Sequence, residues 1–457
     1  MKKSTENIFR PNDIRGVYGK DLTEEVAEKI GKAFGTILGM GKSVVVGRDV
    51  RLSSKSLRDS LVEGLTSVGC DVVDIGMVPT PTFYFSLYSF GFDGGIMITA
   101  SHNPPEWNGF HVYEKMESIT VGEKIEEMKK IISEEKFAKA KAEGKISKLD
   151  ILKEYINFLS SNFEIRGKFK IVVDCSNGCA AILIKKLLKK LGQKVFLLNH
   201  KIDGNFPAHG PEVKEENSAR LKGEIKRVGA DLGVGYDGDA DRVIFFDEKS
   251  RMLHGDRAAL LFLEDLFERK RNPRILNEVS CSSAIEEYIK RRGGLLKTSR
   301  RGHAFIQILM RKEDMDFGFE SSSHFYFKEL KGFDDAFFAT LKACEIIHKT
   351  GKKFSEIVDV VPWYPRKEKA VKCKDEFKLK VVENVKKEIV KEKLKFDGKD
   401  GVKVFLKDGW FLIRASITEP LIRISAEAKD GKKLEKIFKF AENLLKRGMY
   451  KYKLEQK

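Results

Sequence analysis

The sequence predicts an α/β protein: three successive, similar α/β domains with mixed, largely parallel sheets, then a C-terminal α+β domain. Three observations predict it. Short apolar runs alternate with helical periodicity, which indicates parallel strands joined by crossover helices. The alternation starts afresh twice, each round delivering polar residues after an apolar strand, as an internally repeated architecture would. The final stretch breaks this pattern. The 457 residues also exceed one ordinary core.

In the first round, Val26, Ala27, Ile30, Phe34, Ile37 and Leu38 share a helical face over residues 23–38. A strand follows at 44–47, a helix marked by Leu57, Leu61 and Leu65, a strand at 72–75, a short helix at 80–89 and a strand at 95–98. A lysine-rich helical stretch near 123–148 separates this round from the next. The second has strands at 170–174, 195–198 and 232–235 around a helix at 182–191. The third alternates helices at 255–269 and 284–292 with strands at 275–276, 295–297 and 317–319. A helix near 375–394, strands at 402–405 and 410–414 and a closing helix at 431–446 form the last unit. The boundaries this implies are 1–148, 149–250, 251–362 and 363–457.

The formal charge of +17 suits nucleic acid or phosphorylated small molecules equally. Acids interleave with the lysines and no RNA or DNA module is recognised, so no nucleic-acid partner is expected. The six cysteines lack CxxC pairing and read as buried thiols of a reducing cytosol. No apolar h-region or run of membrane length occurs, so a cytoplasmic protein without a membrane partner is expected. Gly41-Lys42-Ser43 imitates the end of a P-loop, but it sits between helix and strand with its glycine spacing out of register.

Four segments carry chemistry. Thr99-Ala100-Ser101-His102-Asn103-Pro104 follows the apolar run Gly95 to Ile98, so Ser101 falls just past a strand's C-terminal end, where open α/β sheets bind ligands. Asp237-Gly238-Asp239-Ala240-Asp241-Arg242 places carboxylates at alternate positions of a turn, where they converge on a hard cation such as Mg²⁺. An EF-hand fails here, because Arg242 occupies the position that needs glycine and Val243 to Phe246 reads as a strand. Glu320-Ser321-Ser322-Ser323-His324 offers a carboxylate, hydroxyls and an imidazole for sugar hydroxyls and protons. Arg414-Ala415-Ser416-Ile417-Thr418-Glu419-Pro420, with Arg423, offers guanidinium and hydroxyl donors for phosphate. Taken singly, each also reads as a plain polar turn.

Together the four resemble one family, the α-D-phosphohexomutases, in its bacterial and archaeal phosphomannomutase/phosphoglucomutase branch. Asn12 to Gly16, Val46 to Asp49, Pro105 to Phe110, Val173-Asp174 with Asn177-Gly178, and Asp203 to Pro207 also look like family segments in family order. The resemblance implies four domains around a central cleft, with Ser101 as phosphoserine and Mg²⁺ held by Ser101, Asp237, Asp239 and Asp241. It implies sugar binding by Glu320, Ser322 and His324, and phosphate binding by Arg414, Ser416 and Thr418. Arg423, Arg300 and His303 are further groups for the same cleft. Arg15 and Arg242 would lend charge; His102, His111 and His324 would handle protons. The implied reaction interconverts hexose 1-phosphate and 6-phosphate of mannose or glucose, with hexose 1,6-bisphosphate as intermediate and activator. Phosphoglucosamine mutase, or a catalytically weak sugar-phosphate-binding protein, is the alternative. A monomer or homodimer is expected.

The chain departs from the family pattern at three places. His111 stands where the family usually has lysine, with Lys115 a possible substitute only if the backbone allows. Ser323 replaces a glycine in the sugar loop, and Ile417 an asparagine or glycine in the phosphate loop.

Overall fold

A computed structural model describes residues 8–10, 13–416 and 420–454. Ile417 and Thr418 of the expected phosphate loop lie outside them.

Four sheets succeed one another along the chain. In the first, Gly94–Ile98, Ser43–Arg48, Asp71–Met77 and Ile146–Lys148 run parallel. Trp107–Glu114, Asp13–Val17 and Phe9–Arg10 extend it antiparallel beyond Gly94–Ile98. The second has Lys194–Leu198, Lys170–Asp174 and Leu232–Tyr236 parallel, then Val243–Phe246 and Met252–Leu253 antiparallel. The third repeats this with Leu295–Ser299, Arg274–Glu278 and Phe317–Phe319 parallel and Phe325–Phe327 antiparallel. The fourth is antiparallel throughout, with Leu421–Ala428 between Arg366–Lys372 and Gly409–Ala415.

One device recurs in all four sheets. Gly94–Ile98, Leu232–Tyr236, Phe317–Phe319 and Gly409–Ala415 each turn back into an antiparallel neighbour, and each turn is one of the chemical segments. Val44, Val45 and Val46 are fully buried, as befits strands covered on both faces. The same holds at Val172 and Val173 of the second sheet.

The first three units share one continuous buried cluster, with Tyr84 and Tyr113 from the first, Val173 and Tyr236 from the second, and Phe317 and Phe337 from the third. The last unit has its own core around Val385, Phe411 and Leu444. It meets the others through polar contacts such as Arg10–Asp375 at 3.5 Å and Lys403–Glu286 at 3.5 Å.

The helix expected over 123–148 is corrected by the structure. It covers Glu123–Glu134 and stops where Glu135 turns left-handed at φ 51°. Ile146–Lys148 instead pairs with Asp71–Met77. The backbone at Gly144 crosses so close to Cys70 that an added Cβ would lie 1.8 Å from its carbonyl oxygen. Sheet pairing thus overrides the local charge pattern of this stretch. The expected helices at 182–191 and 375–394 shorten to Ile184–Lys190 and Asp375–Lys391, while the closing one lengthens to Gly431–Leu454.

The helices Glu24–Leu38 and Ser54–Ser67 cross on two glycines. A Cβ at Gly64 would lie 2.2 Å from the Glu28 carbonyl oxygen, and one at Gly31 2.3 Å from that of Leu61. Gly64→Ala is therefore expected to destabilise by about 1–3 kcal/mol through overpacking, read as a lower urea midpoint. An unchanged midpoint would refute the close crossing.

Candidate active site

Ser101 sits at the first hairpin tip in a left-handed conformation, φ 46°. Its Oγ donates to Asp237 Oδ2 at 2.7 Å and lies 3.3 Å from His102 Nδ1. The first two hairpins touch so closely that a Cβ at Gly238 would lie 2.6 Å from the Ser101 carbonyl oxygen. Only glycine permits that approach. Arg51, fully buried, holds the same tip by donating to the carbonyls of Ser101, Asn103, Pro104 and Trp107. Its guanidinium is kept in place by Asp49 at 3.1 Å and stacks 5.1 Å from the Phe206 ring of the second unit.

The Asp237, Asp239 and Asp241 carboxylates are all buried, each giving an oxygen within 4.8 Å of the others. Thr80 and Thr99 hydroxyls donate to Asp239 Oδ2 at 2.6 and 3.0 Å, while Asp239 Oδ1 and Asp241 Oδ1 have no hydrogen-bond partner. Burial, reinforced by Asp239, pushes the Asp237 carboxyl up to about 7, and burial with both neighbours raises Asp241 well above its ordinary range. Three desolvated carboxylates with two orphaned oxygens fit a hard divalent cation with positions left open. The Ser101 hydroxyl stands beside the same cluster.

Arg15 bonds Asn103 Oδ1 at 2.6 Å and pairs with Asp13. His111 is buried with neither ring nitrogen partnered; its ring lies 4.7 Å from that of His303, and Asp13 is 3.8 Å away. Burial and the charge of His303 hold its pKa well below the ordinary value, which favours the neutral imidazole at the position where the sequence resemblance implies lysine. Lys115 does not replace it. That residue is exposed past the far end of Trp107–Glu114, about 13 Å along the strand.

At the third tip, Ser323 adopts φ 72°, a conformation that glycine takes without strain. Glu320 accepts from Tyr326 Oη at 2.6 Å and Ser322 Oγ at 3.3 Å. His324 is engaged on both sides, with Asp334 Oδ2 2.6 Å from Nδ1 and Arg242 Nε donating to Nε2 at 2.8 Å. Burial and Arg242 push its pKa down to about 3. The second and third tips are thereby joined, and Val243 N also donates to the Ser323 carbonyl at 3.2 Å.

At the fourth tip, Arg414 is directly opposite Arg423 in the antiparallel ladder. Like charges in that position repel unless an anion joins them. Arg414 is buried, and among the described residues no acceptor meets its guanidinium. Burial, then the charge of Arg301, lowers its pKa to about 10. Lys378 Nζ donates to the Ser416 carbonyl at 2.5 Å. Arg300, expected in the cleft, is exposed and lies 4.2 Å over the Phe305 ring. It lines the outer cavity of about 790 Å³ between the first and last units, with Phe9, Arg10, Leu379 and Ser416. Its neighbour Arg301 carries its charge inward toward Glu278, Glu320 and Arg242. Neither Arg301 nor Arg51 carries a sequence signal, because each stands in a basic or polar run with no spacing pattern. Cys70, Cys175, Cys179, Cys281 and Cys344 are buried free thiols, and no helix among the described residues is long and apolar enough to cross a membrane.

Comparison with known proteins follows this layout. Models of phosphoglucomutase/phosphomannomutase α/β/α domains I, II and III match residues 6–139, 153–251 and 254–364, and the C-terminal domain model matches 368–444. A phosphoglucomutase/phosphomannomutase of Thermococcus kodakarensis is 35% identical over 452 residues, 97% of this chain and 99% of that protein. A probable phosphoglucosamine mutase of Methanopyrus kandleri is 34% identical over 432 residues, 94% of this chain and 95% of that protein. The crystal structure of a phosphoglucomutase/phosphomannomutase family protein from Burkholderia thailandensis aligns with TM-score 0.88 at 30% identity, covering 97% of this chain and 98% of its own.

Proposed function

Since the chain belongs to the phosphoglucomutase/phosphomannomutase family of α-D-phosphohexomutases, we propose that it interconverts the 1- and 6-phosphates of glucose and mannose. Phosphoserine 101 is the phosphoryl donor and hexose 1,6-bisphosphate the intermediate and activator. The observation that carries this reading is the 2.7 Å contact between Ser101 Oγ and Asp237 of the buried acidic triplet.

Phosphoserine 101 loses its Oγ–P bond as a sugar hydroxyl oxygen forms the new O–P bond, and the hydroxyl proton leaves for a nearby base. The bisphosphate then returns its other phosphoryl group to Ser101. Asp237, Asp239, Asp241 and the Ser101 phosphate would hold Mg²⁺, which supplies positive charge to a phosphoryl oxygen in flight. Arg15 and Arg242 add fixed charge to the same region. His102, 3.3 Å from Ser101 Oγ, and the unpartnered His111 ring are the imidazoles with a free nitrogen near the reacting oxygens. Glu320 and Ser322 orient sugar hydroxyls. Arg414, Ser416, Thr418 and Arg423 grip the phosphate that is not moving and so fix the sugar's reach, while His303, whose ring lies 4.7 Å from that of His111, serves the reacting end. The working form needs no nucleic-acid or membrane partner and is cytoplasmic.

The test is an NMR assay with Mg²⁺ and a trace of hexose 1,6-bisphosphate on glucose 1-phosphate, mannose 1-phosphate and glucosamine 1-phosphate. The first two are expected to give 6-phosphates without free phosphate. Phosphate release without isomerisation overturns the reading, and preference for glucosamine 1-phosphate moves it to the activity named for the Methanopyrus relative. Arg414→Met is expected to lower kcat/KM for glucose 1-phosphate by about 10–100-fold, the loss of a charge-assisted hydrogen-bond pair. A value within twofold of wild type would remove Arg414 from the phosphate site.

A further inference from the structure

We infer that Thr80 and Thr99 are positioning residues for the cation site: they aim Asp239 from the first unit, and Thr99 also ties the Ser101 turn to that carboxylate. The identity of the cation rests on the phosphohexomutase reading above. Both hydroxyls converge on one oxygen. Thr80 Oγ1 donates to Asp239 Oδ2 at 2.6 Å, and Thr99 Oγ1 donates to the same atom at 3.0 Å. Asp239 belongs to the second unit, 159 residues from Thr80 and 140 from Thr99. All three side chains are fully buried, so neither hydroxyl has bulk solvent as an alternative partner.

The backbone makes this approach specific. Thr80 opens the helix Thr80–Phe90, where the first N–H groups have no intrahelical acceptor. Its amide donates instead to the Asp239 carbonyl at 2.9 Å, so the helix start holds Asp239 by main chain and side chain together. The next residue, Ala240, is held at φ 61°, an uncommon conformation for a residue with a Cβ. Two donors on Oδ2 fix the rotation of the carboxylate and leave Oδ1 with no protein partner. The second unit supplies the ligand, and the first unit sets its direction.

The two threonines differ in one respect. The Ser101 amide donates to Thr99 Oγ1 at 2.9 Å. A hydroxyl has one hydrogen and two lone pairs, so Thr99 can accept from Ser101 and donate to Asp239 at once. One oxygen atom thereby joins the left-handed turn of the nucleophile, φ 46°, to the carboxylate beside it. Among the described residues Thr80 Oγ1 meets Asp239 alone. Thr80 therefore acts on the cation site only, whereas Thr99 acts on the cation site and on the placing of Ser101.

The test titrates Mg²⁺ alone by calorimetry into metal-free wild type, Thr80→Val, Thr80→Ser, Thr99→Val and Thr99→Ser, with phosphorylation matched by intact mass. Valine keeps the shape and removes the hydroxyl; serine keeps the hydroxyl. The valine variants are expected to bind Mg²⁺ about 10–100-fold more weakly, the range for groups that orient a metal ligand, and the serine variants to stay within about threefold of wild type. Turnover of glucose 1-phosphate then separates the two threonines. With Mg²⁺ raised well above the variant's Kd, Thr80→Val should recover kcat to within about threefold of wild type. Thr99→Val should stay at least about tenfold below it, because the Ser101 amide has lost its acceptor. Valine variants that bind Mg²⁺ within about twofold of wild type overturn the inference, as does a wild type that binds no Mg²⁺. A serine variant as weak as its valine counterpart overturns it too, since packing and not the hydroxyl would then be at work, and so does a Thr99→Val whose kcat Mg²⁺ restores in full. Should a valine variant fail to fold, Thr80→Ala and Thr99→Ala remove the same hydroxyls and carry the same expectations. A wild-type protein that shows this binding pattern but isomerises no hexose phosphate refutes the function and leaves the positioning role standing.

Discussion

Ser101→Ala is expected to lower mutase turnover by about 10⁴-fold or more, the scale seen when a covalent nucleophile is removed. The size follows from the reaction's design. A phosphoryl group that leaves one sugar oxygen must be held somewhere while the sugar turns, and the Ser101 hydroxyl stands at a hairpin tip 2.7 Å from Asp237 of the acidic triplet. The change is mild for the fold. Alanine and serine pay a similar cost at φ 46°, and the bond from the Ser101 amide to Thr99 Oγ1 at 2.9 Å does not involve the lost hydroxyl. Thermal melting should therefore match wild type. Intact mass supplies the companion observation: wild-type protein carries one phosphoryl group that excess glucose 6-phosphate removes, and the variant carries none. An alanine variant retaining a tenth of wild-type turnover would show that the phosphoryl group does not pass through Ser101.

The site was legible in the sequence to the extent that its parts are local. Each chemical segment follows a short apolar strand, and that pattern survives in one dimension: Gly94–Ile98 before Ser101, Leu232–Tyr236 before Asp237, Phe317–Phe319 before Glu320. The hairpin return was harder to see. Trp107–Glu114 lies in a sheet buried on both faces and shows no alternation, so it read as a motif rather than a strand. Arg51 was invisible because its partners are backbone carbonyls 50 to 56 residues away, which no side-chain pattern marks. The same is true of the His324–Arg242 contact, which spans 82 residues. At 135–148 a lysine-rich surface imitates a helix in the sequence, while pairing of Ile146–Lys148 with Asp71–Met77 takes the chain. Identity of groups is written in the sequence; the direction each hydrogen bond points comes from docking.

Chelation with EDTA is expected to lower turnover by about 10³-fold or more, with Mg²⁺ restoring it, and the acidic triplet should also make stability depend on the ion. Folding buries three carboxylates together, and Asp239 Oδ1 and Asp241 Oδ1 find no protein donor. Such a cluster opposes folding until a cation offsets the repulsion and the lost hydration. A ligand that binds only the folded state adds about 2.7 kcal/mol at a concentration 100 times its Kd, so Mg²⁺ should raise the melting temperature. Asp239→Asn separates this from a merely structural acidic turn. The asparagine oxygen can still accept from Thr80 and Thr99, at 2.6 and 3.0 Å in the parent contact, while its amide donates toward the neighbouring carboxylates. One buried charge disappears, the orphaned Asp239 Oδ1 becomes a donor, and the orphaned Asp241 Oδ1 gains one. The metal-free variant should therefore melt at or above metal-free wild type, yet show little Mg²⁺ shift and almost no turnover. The two signs are opposed: the substitution that relieves the apo protein is the one that disables the enzyme. A variant that keeps the full Mg²⁺ shift, or a wild type whose melting and turnover ignore both EDTA and Mg²⁺, would mean that the triplet serves the fold alone.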